Sequence, residues 1–141
     1  MQLSTLLLYI TASISLTSAI AIPEAGDSTQ HLQKRACFKT GENFGNQRDL
    51  AQDKARFACN KHFKGNWKKR ETVVKCYDLG SSGKSVLLTV GLTGPNAGST
   101  RYLDPDECFS GLSSEILNCG KGGDTTYGNW RYRADPNSGG C

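Results

Sequence analysis

Six cysteines bracket a single histidine, His62; the other imidazole of the chain, His31, precedes the first of them. Proton transfer between two histidines is therefore excluded for the stretch from Cys37 to Cys141. A glutamate–histidine–arginine arrangement, as in a small secreted ribonuclease, would need Glu42, Glu71, Glu107 or Glu115 to meet His62 in a cleft. No spacing brings any of them to it, and His62, beside Phe63 at the end of an expected helix, reads as a surface residue. There is no Gly-x-Ser-x-Gly elbow, and the cysteines are expected to be oxidised rather than nucleophilic. A glycosidase needs only two carboxylates, but Asp104, Asp106 and Glu107 already have a role in starting a helix. With no Cys-x-x-Cys pair and one histidine, zinc has no ligand set. We expect a non-enzymatic protein without cofactor or metal.

Binding chemistry is better represented. Lys54, Arg56, Lys61, Lys64, Lys68, Lys69, Arg70 and Lys75 put eight positive charges into 22 residues, opposed by Glu71 alone. Such a patch attracts phosphate, anionic lipid or acidic glycan through its summed potential, the plain alternative being a solvated helix face. Specific nucleic-acid binding is not expected if, as argued below, the chain is secreted. Trp67, inside the hydrophilic run Lys64-Gly65-Asn66-Trp67-Lys68-Lys69-Arg70, is expected in an exposed loop, where an indole offers a stacking platform. Tyr127, Asn129 and Arg131 add a ring, an amide and a guanidinium next to a glycine-rich segment, a combination suited to saccharides. Trp130 and Tyr132 are expected in the core.

These groups must be positioned by a small, crosslinked scaffold. Asp104-Pro105-Asp106-Glu107 carries the signals of a helix start: Asp104 as cap, Pro105 at the first helical position, Glu107 to complete a capping box. Gly120 ends the helix. Cys108, Leu112, Ile116 and Cys119 recur on one face. Eleven residues of helix separate the two cysteines by roughly 16 Å, far beyond disulfide reach, so each must bond a different element. Six cysteines allow fifteen connectivities, and excluding Cys108–Cys119 leaves twelve. The helix is thus a hub for two crosslinks, with Cys37, Cys59, Cys76 and Cys141 as the remaining partners.

Leu3 to Ile22 is apolar, is sprinkled with serine and threonine, and ends in Ala19-Ile20-Ala21, which reads as a signal peptide over 1–21. Residues 22–35 are polar and close on Lys34-Arg35, a dibasic processing site directly before Ala36-Cys37. The remaining 36–141 forms one domain. Residues 1–35 hold two basic and two acidic residues, so the +4 balance of the whole chain passes to that domain. An even number of widely spaced cysteines in a secreted chain predicts three disulfides. No segment beyond the signal is long and apolar enough to span a bilayer.

Asn46 to Phe63 reads as a first helix, capped by Asn46, with Leu50, Ala51, Ala55, Phe57, Ala58 and Cys59 on its apolar side and Gly65 past its end. Glu71 to Asp78 is β-prone, and Val86, Leu88, Val90 and Leu92 alternate as a core-facing strand. Gly94-Pro95-Asn96-Ala97-Gly98 is turn chemistry, from which Ser99 to Leu103 is expected to return as that strand's partner. A mobile segment to Gly128 precedes a strand over Asn129–Asp135, with Trp130, Tyr132 and Ala134 on one face and Arg131, Arg133 and Asp135 on the other. The fold class is α+β: an antiparallel sheet of four to five strands with two helices packed on one face as a compact two-layer sandwich.

Leu112-(x2)-Glu115-Ile116-(x2)-Cys119-(x2)-Gly122-Gly123, followed by Trp130-Arg131-Tyr132-Arg133-Ala134-Asp135-Pro136-Asn137-(x)-Gly139-(x)-Cys141, resembles the Y3-type glycan-binding domain of small secreted fungal proteins. Cys37, Cys59 and Cys76 extend the resemblance over Cys37 to Cys141. It implies a compact α/β sandwich that binds extracellular glycans or glycoproteins without catalysis. Asp135-Pro136-Asn137 is expected to turn before the last cysteine, with Asp135 pairing Arg133. A lectin-like protein, a monomer or weak dimer, is the leading expectation. A cationic toxin or host-directed effector acting on a membrane or receptor is the alternative, and a small ribonuclease the third.

Overall fold

A computed structural model describes residues 36–141; the expected signal peptide and the processing pair Lys34-Arg35 lie outside the described residues. Among the described residues two α-helices, α1 (Arg48–Ala58) and α2 (Pro105–Asn118), accompany six strands. β2 (Thr72–Asp78), β3 (Lys84–Leu92), β6 (Trp130–Ser138) and β5 (Gly123–Tyr127) form an antiparallel sheet in that order, and β1 (Gly65–Lys68) pairs with β4 (Thr100–Leu103) as a separate ribbon. This is the expected α+β class with three disulfides.

The core follows from two periodicities meeting. Every second residue of β3, from Val86 to Leu92, is wholly buried, and the register sets Pro136, Ala134, Tyr132 and Trp130 of β6 opposite them. Onto this face α2 lays Cys108, Leu112 and Ile116, all without exposed surface. Each large apolar side chain so buried contributes roughly 1.5–3 kcal/mol. The core-facing side of α1 consists of Ala51, Ala55 and Ala58, small enough for close helix packing. Phe57, expected on that side, is 50% exposed instead. The helix passes into a π turn, Cys59–Phe63, with Lys64 N–H donating to Cys59 O at 3.2 Å.

Cys108 on α2 bonds Cys59, and Cys119, the extended residue just past the helix end at Asn118, bonds Cys37, so crosslinks to two different elements anchor α2 and its C-terminal flank, while Cys76 bonds Cys141. Asp104 caps α2 by accepting from the Asp106 N–H at 2.8 Å, with Pro105 at the first position. The capping box does not close: Glu107 turns away to pair with Arg101 at 2.8 Å. Nor does Asn46 cap α1; its side chain accepts from Gln47 Nε2.

Three expectations about strands are corrected. Ser99–Leu103 does not return along β3, because β3 is central and its two sides are occupied by β2 and β6. The stretch up to Gly128, expected to be mobile, contains edge strand β5, paired with β6 from Gly123↔Ala134 to Tyr127↔Trp130. Asp135-Pro136-Asn137 continues β6 instead of turning. Pro136 is tolerated there because β5 has ended and β6 is an edge on that side. The Arg133–Asp135 pair does form.

Candidate functional site

Gly128 and Asn129 join β5 to β6 as a two-residue turn with φ of 55° and 72°. Positive values at both positions match the twist of a tight hairpin, and glycine and asparagine are the residues that adopt them at least cost. Asn129 then clamps a second loop: its Oδ1 accepts from Asn96 N–H at 3.1 Å, and its carbonyl accepts from Thr93 and Gly94 N–H at 3.1 and 2.9 Å. Gly94 permits the approach, since an added Cβ would lie 2.3 Å from Asn129 Cα. Arg101 donates to Gly128 O and, through its other amino group, to Glu107, tying the hairpin tip to β4 and α2.

The two loops enclose a shallow recess of about 230 Å³ lined by Gly94, Pro95, Asn96, Thr126, Tyr127, Gly128 and Asn129. Tyr127 is 37% exposed, and its ring centroid lies 5.2 Å from that of buried Tyr132. Burial raises the Tyr132 phenol well above the usual tyrosine range. The recess therefore presents an aromatic ring, amide groups and backbone carbonyls on a rim held by hydrogen bonds.

Of the four candidate ligand residues, Tyr127 and Asn129 meet there. Arg131 does not: it faces the opposite side of the sheet, where Asp124 accepts from both Nε and Nη2. This pairing raises the pKa of Arg131 further, against partial desolvation. Arg131 and Arg133 line a different shallow groove of about 270 Å³ with Thr72, Val74, Leu87 and Thr89.

Trp67 is corrected outright. It belongs to β1, is 4% exposed, donates Nε1–H to Phe63 O at 2.7 Å and meets the Trp130 ring edge-on at 5.6 Å. It is a core residue because the inner face of β1 closes over Phe63 and Trp130. The basic patch divides between elements: Lys54 and Lys61 lie on α1 and the π turn, whereas Lys64, Lys68, Lys69 and Arg70 surround β1. Lys69 Nζ reaches Pro95 O at 3.2 Å, beside the recess.

His62 is exposed, its ring centroid 5.8 Å from that of Phe57 in an edge-on arrangement. Glu42 pairs with Lys84, Glu71 accepts from Lys68 N–H, Glu107 pairs with Arg101 and Glu115 is buried on α2. Sequence reasoning missed the Gly94-Pro95-Asn96 wall of the recess. Its turn composition was visible, but its docking on Asn129 across 33 residues was not. Compared with known proteins, the chain matches no protein-family model and no curated protein.

Proposed function

We propose that this is a secreted, non-catalytic glycan-binding protein that holds sugar at the tip of the β5–β6 hairpin. The reading rests on one observation: Tyr127 offers an exposed ring in the same recess as the Asn96 and Asn129 amides, on loops clamped to each other before any ligand arrives. A ring covers the C–H face of a pyranose, and amides serve its hydroxyls as donors and acceptors. Preformed geometry lowers the ordering cost that otherwise weakens shallow sites. Three disulfides and the resemblance of the C-terminal block to Y3-type domains support extracellular glycans as the ligand class.

A glycan-array profile of the oxidised protein in low and high salt tests it, beside Tyr127→Ala and Asn129→Gly. The second variant keeps a residue suited to the turn while deleting the amide. Salt-resistant binding to a narrow set of neutral glycans, reduced about tenfold or more by Tyr127→Ala, is expected. Absence of such binding, or its persistence in both variants, would shift the reading to a cationic toxin or effector.

A further inference from the structure

Burial of Trp67 dictates where its neighbours point. Side chains alternate along a strand, so with Trp67 turned inward β1 carries Asn66 and Lys68 to its outer face. The antiparallel register sets Tyr102 opposite Asn66 and Thr100 opposite Lys68, and all four are exposed, Tyr102 to 55%. Lys64, which leads into β1 through Gly65 with φ of 127°, is exposed too. Lys64 precedes β1 and Lys68 is its last residue, so the two bracket Asn66 and its cross-strand partner Tyr102.

The acids nearest this row are committed to backbone amides. Glu71 Oε2 accepts from Lys68 N–H at 2.8 Å, and Asp104, which follows β4, caps α2. With Lys69 and Arg70 beside them and Glu71 the one acid in the stretch 64–71, the local charge stays positive. Arg70, in the turn closed by Glu71 N–H to Lys68 O at 3.0 Å, has φ of 71°, a conformation that glycine or asparagine adopts at lower cost. An arginine at a positive φ is the kind of backbone outlier that points toward use of its side chain.

We infer that the outer face of the β1–β4 ribbon is a second saccharide site, selective for glycans bearing sulfate or carboxylate groups. Tyr102 stacks on a sugar face, Asn66 and Thr100 hydrogen-bond its hydroxyls, and Lys64 and Lys68 hold acidic groups on either side. A single exposed ring flanked by an amide and a hydroxyl fits a sugar better than single-stranded nucleic acid, whose platforms stack successive bases on several rings. The site uses neither Tyr127 nor Asn129, so it stands or falls independently of the hairpin recess.

The test is calorimetric titration of the oxidised protein with a size-defined heparin oligosaccharide at two salt concentrations. It includes Tyr102→Ala, the double variant Lys64→Gln/Lys68→Gln, and Lys39→Gln/Lys61→Gln as a control of equal charge, all with matched thermal midpoints. The Lys64/Lys68 pair is expected to weaken binding about tenfold or more and flatten its salt dependence. Tyr102→Ala should weaken it about five- to tenfold with the salt dependence retained, consistent with loss of one stacking contact. The Lys39/Lys61 control and Tyr127→Ala should stay within about twofold, and a desulfated oligosaccharide should bind far more weakly. Equal losses in the two lysine pairs, or an unaffected Tyr102→Ala, would show diffuse attraction and overturn the site. Tighter binding of a thymidine oligonucleotide would overturn the ligand class, and no measurable heparin binding would overturn the proposal.

Discussion

Tyr132 packs against α2 at Gly111 so closely that a Cβ added to the glycine would lie 2.5 Å from ring atoms Cε2 and Cζ. An exposed helical glycine changed to alanine ordinarily gains about 1 kcal/mol from propensity. Here overpacking dominates and reverses the sign. Gly111→Ala is expected to lose about 2 kcal/mol in urea unfolding. A gain would mean that Tyr132 can swing aside.

The hydroxyl of Tyr132 is buried without a hydrogen-bond partner among the described residues. Desolvating an unpaired hydroxyl costs about 1–3 kcal/mol. Tyr132→Phe should therefore be neutral or stabilising, by up to about 1 kcal/mol at the urea midpoint. A loss of that size would reveal a bond, through water for example, to the phenol.

Arg70→Gly relieves the positive φ of 71°. The native state should gain about 1 kcal/mol, less the extra freedom glycine gives the unfolded chain. If the charge is used as inferred, heparin affinity should fall in the same variant, separating stability from binding.

The three disulfides differ in access: Cys59 and Cys108 are wholly buried, whereas Cys76 and Cys141 are exposed. Under graded reductant with alkylation and mass spectrometry, Cys76–Cys141 should open first and Cys59–Cys108 only on global unfolding. Replacing Cys59 and Cys108 together by alanine should cost about 4 kcal/mol, from the loop they close.

Glu42 accepts from Lys84 Nζ at 2.7 Å and from Asn43 N–H at 3.2 Å, which holds its carboxyl below the ordinary value. A pKa lowered by folding supplies stability that is present above the unfolded value and lost as pH falls through the folded one. Wild-type stability should thus decline more steeply than that of Glu42→Gln on acidification below pH 4.5, the ordinary value. Parallel curves in denaturant titrations at several pH values would remove Glu42 from the acid transition.

What could be read from the chain is what depends on near neighbours. The buried stripe and cap of α2, the alternation of β3 and the inward set Trp130, Tyr132 and Ala134 are written in spacings of two to four residues, and the structure keeps each of them. Geometry within one helix was enough to forbid Cys108–Cys119, and the observed pairs respect it. The expected neighbourhood of Tyr127 and Asn129 is also kept, because both belong to one short hairpin, though only Tyr127 stays exposed and the Asn129 amide turns to Asn96.

The tertiary structure decided the rest. Trp67 reads as exposed because its sequence neighbours are charged, yet alternation lets Lys68 stay in water while the indole closes the core. Glu107 could have reached back to its own helix, but Arg101 offered a charged partner from β4. Arg131 left the recess because β6 puts successive side chains on opposite faces. Tyr102 gained its importance only when β4 paired with β1, since β3 had no free edge. A strand's own pattern shows that it has two faces; which face is covered depends on which distant strand takes its hydrogen bonds, and local spacing does not encode that choice.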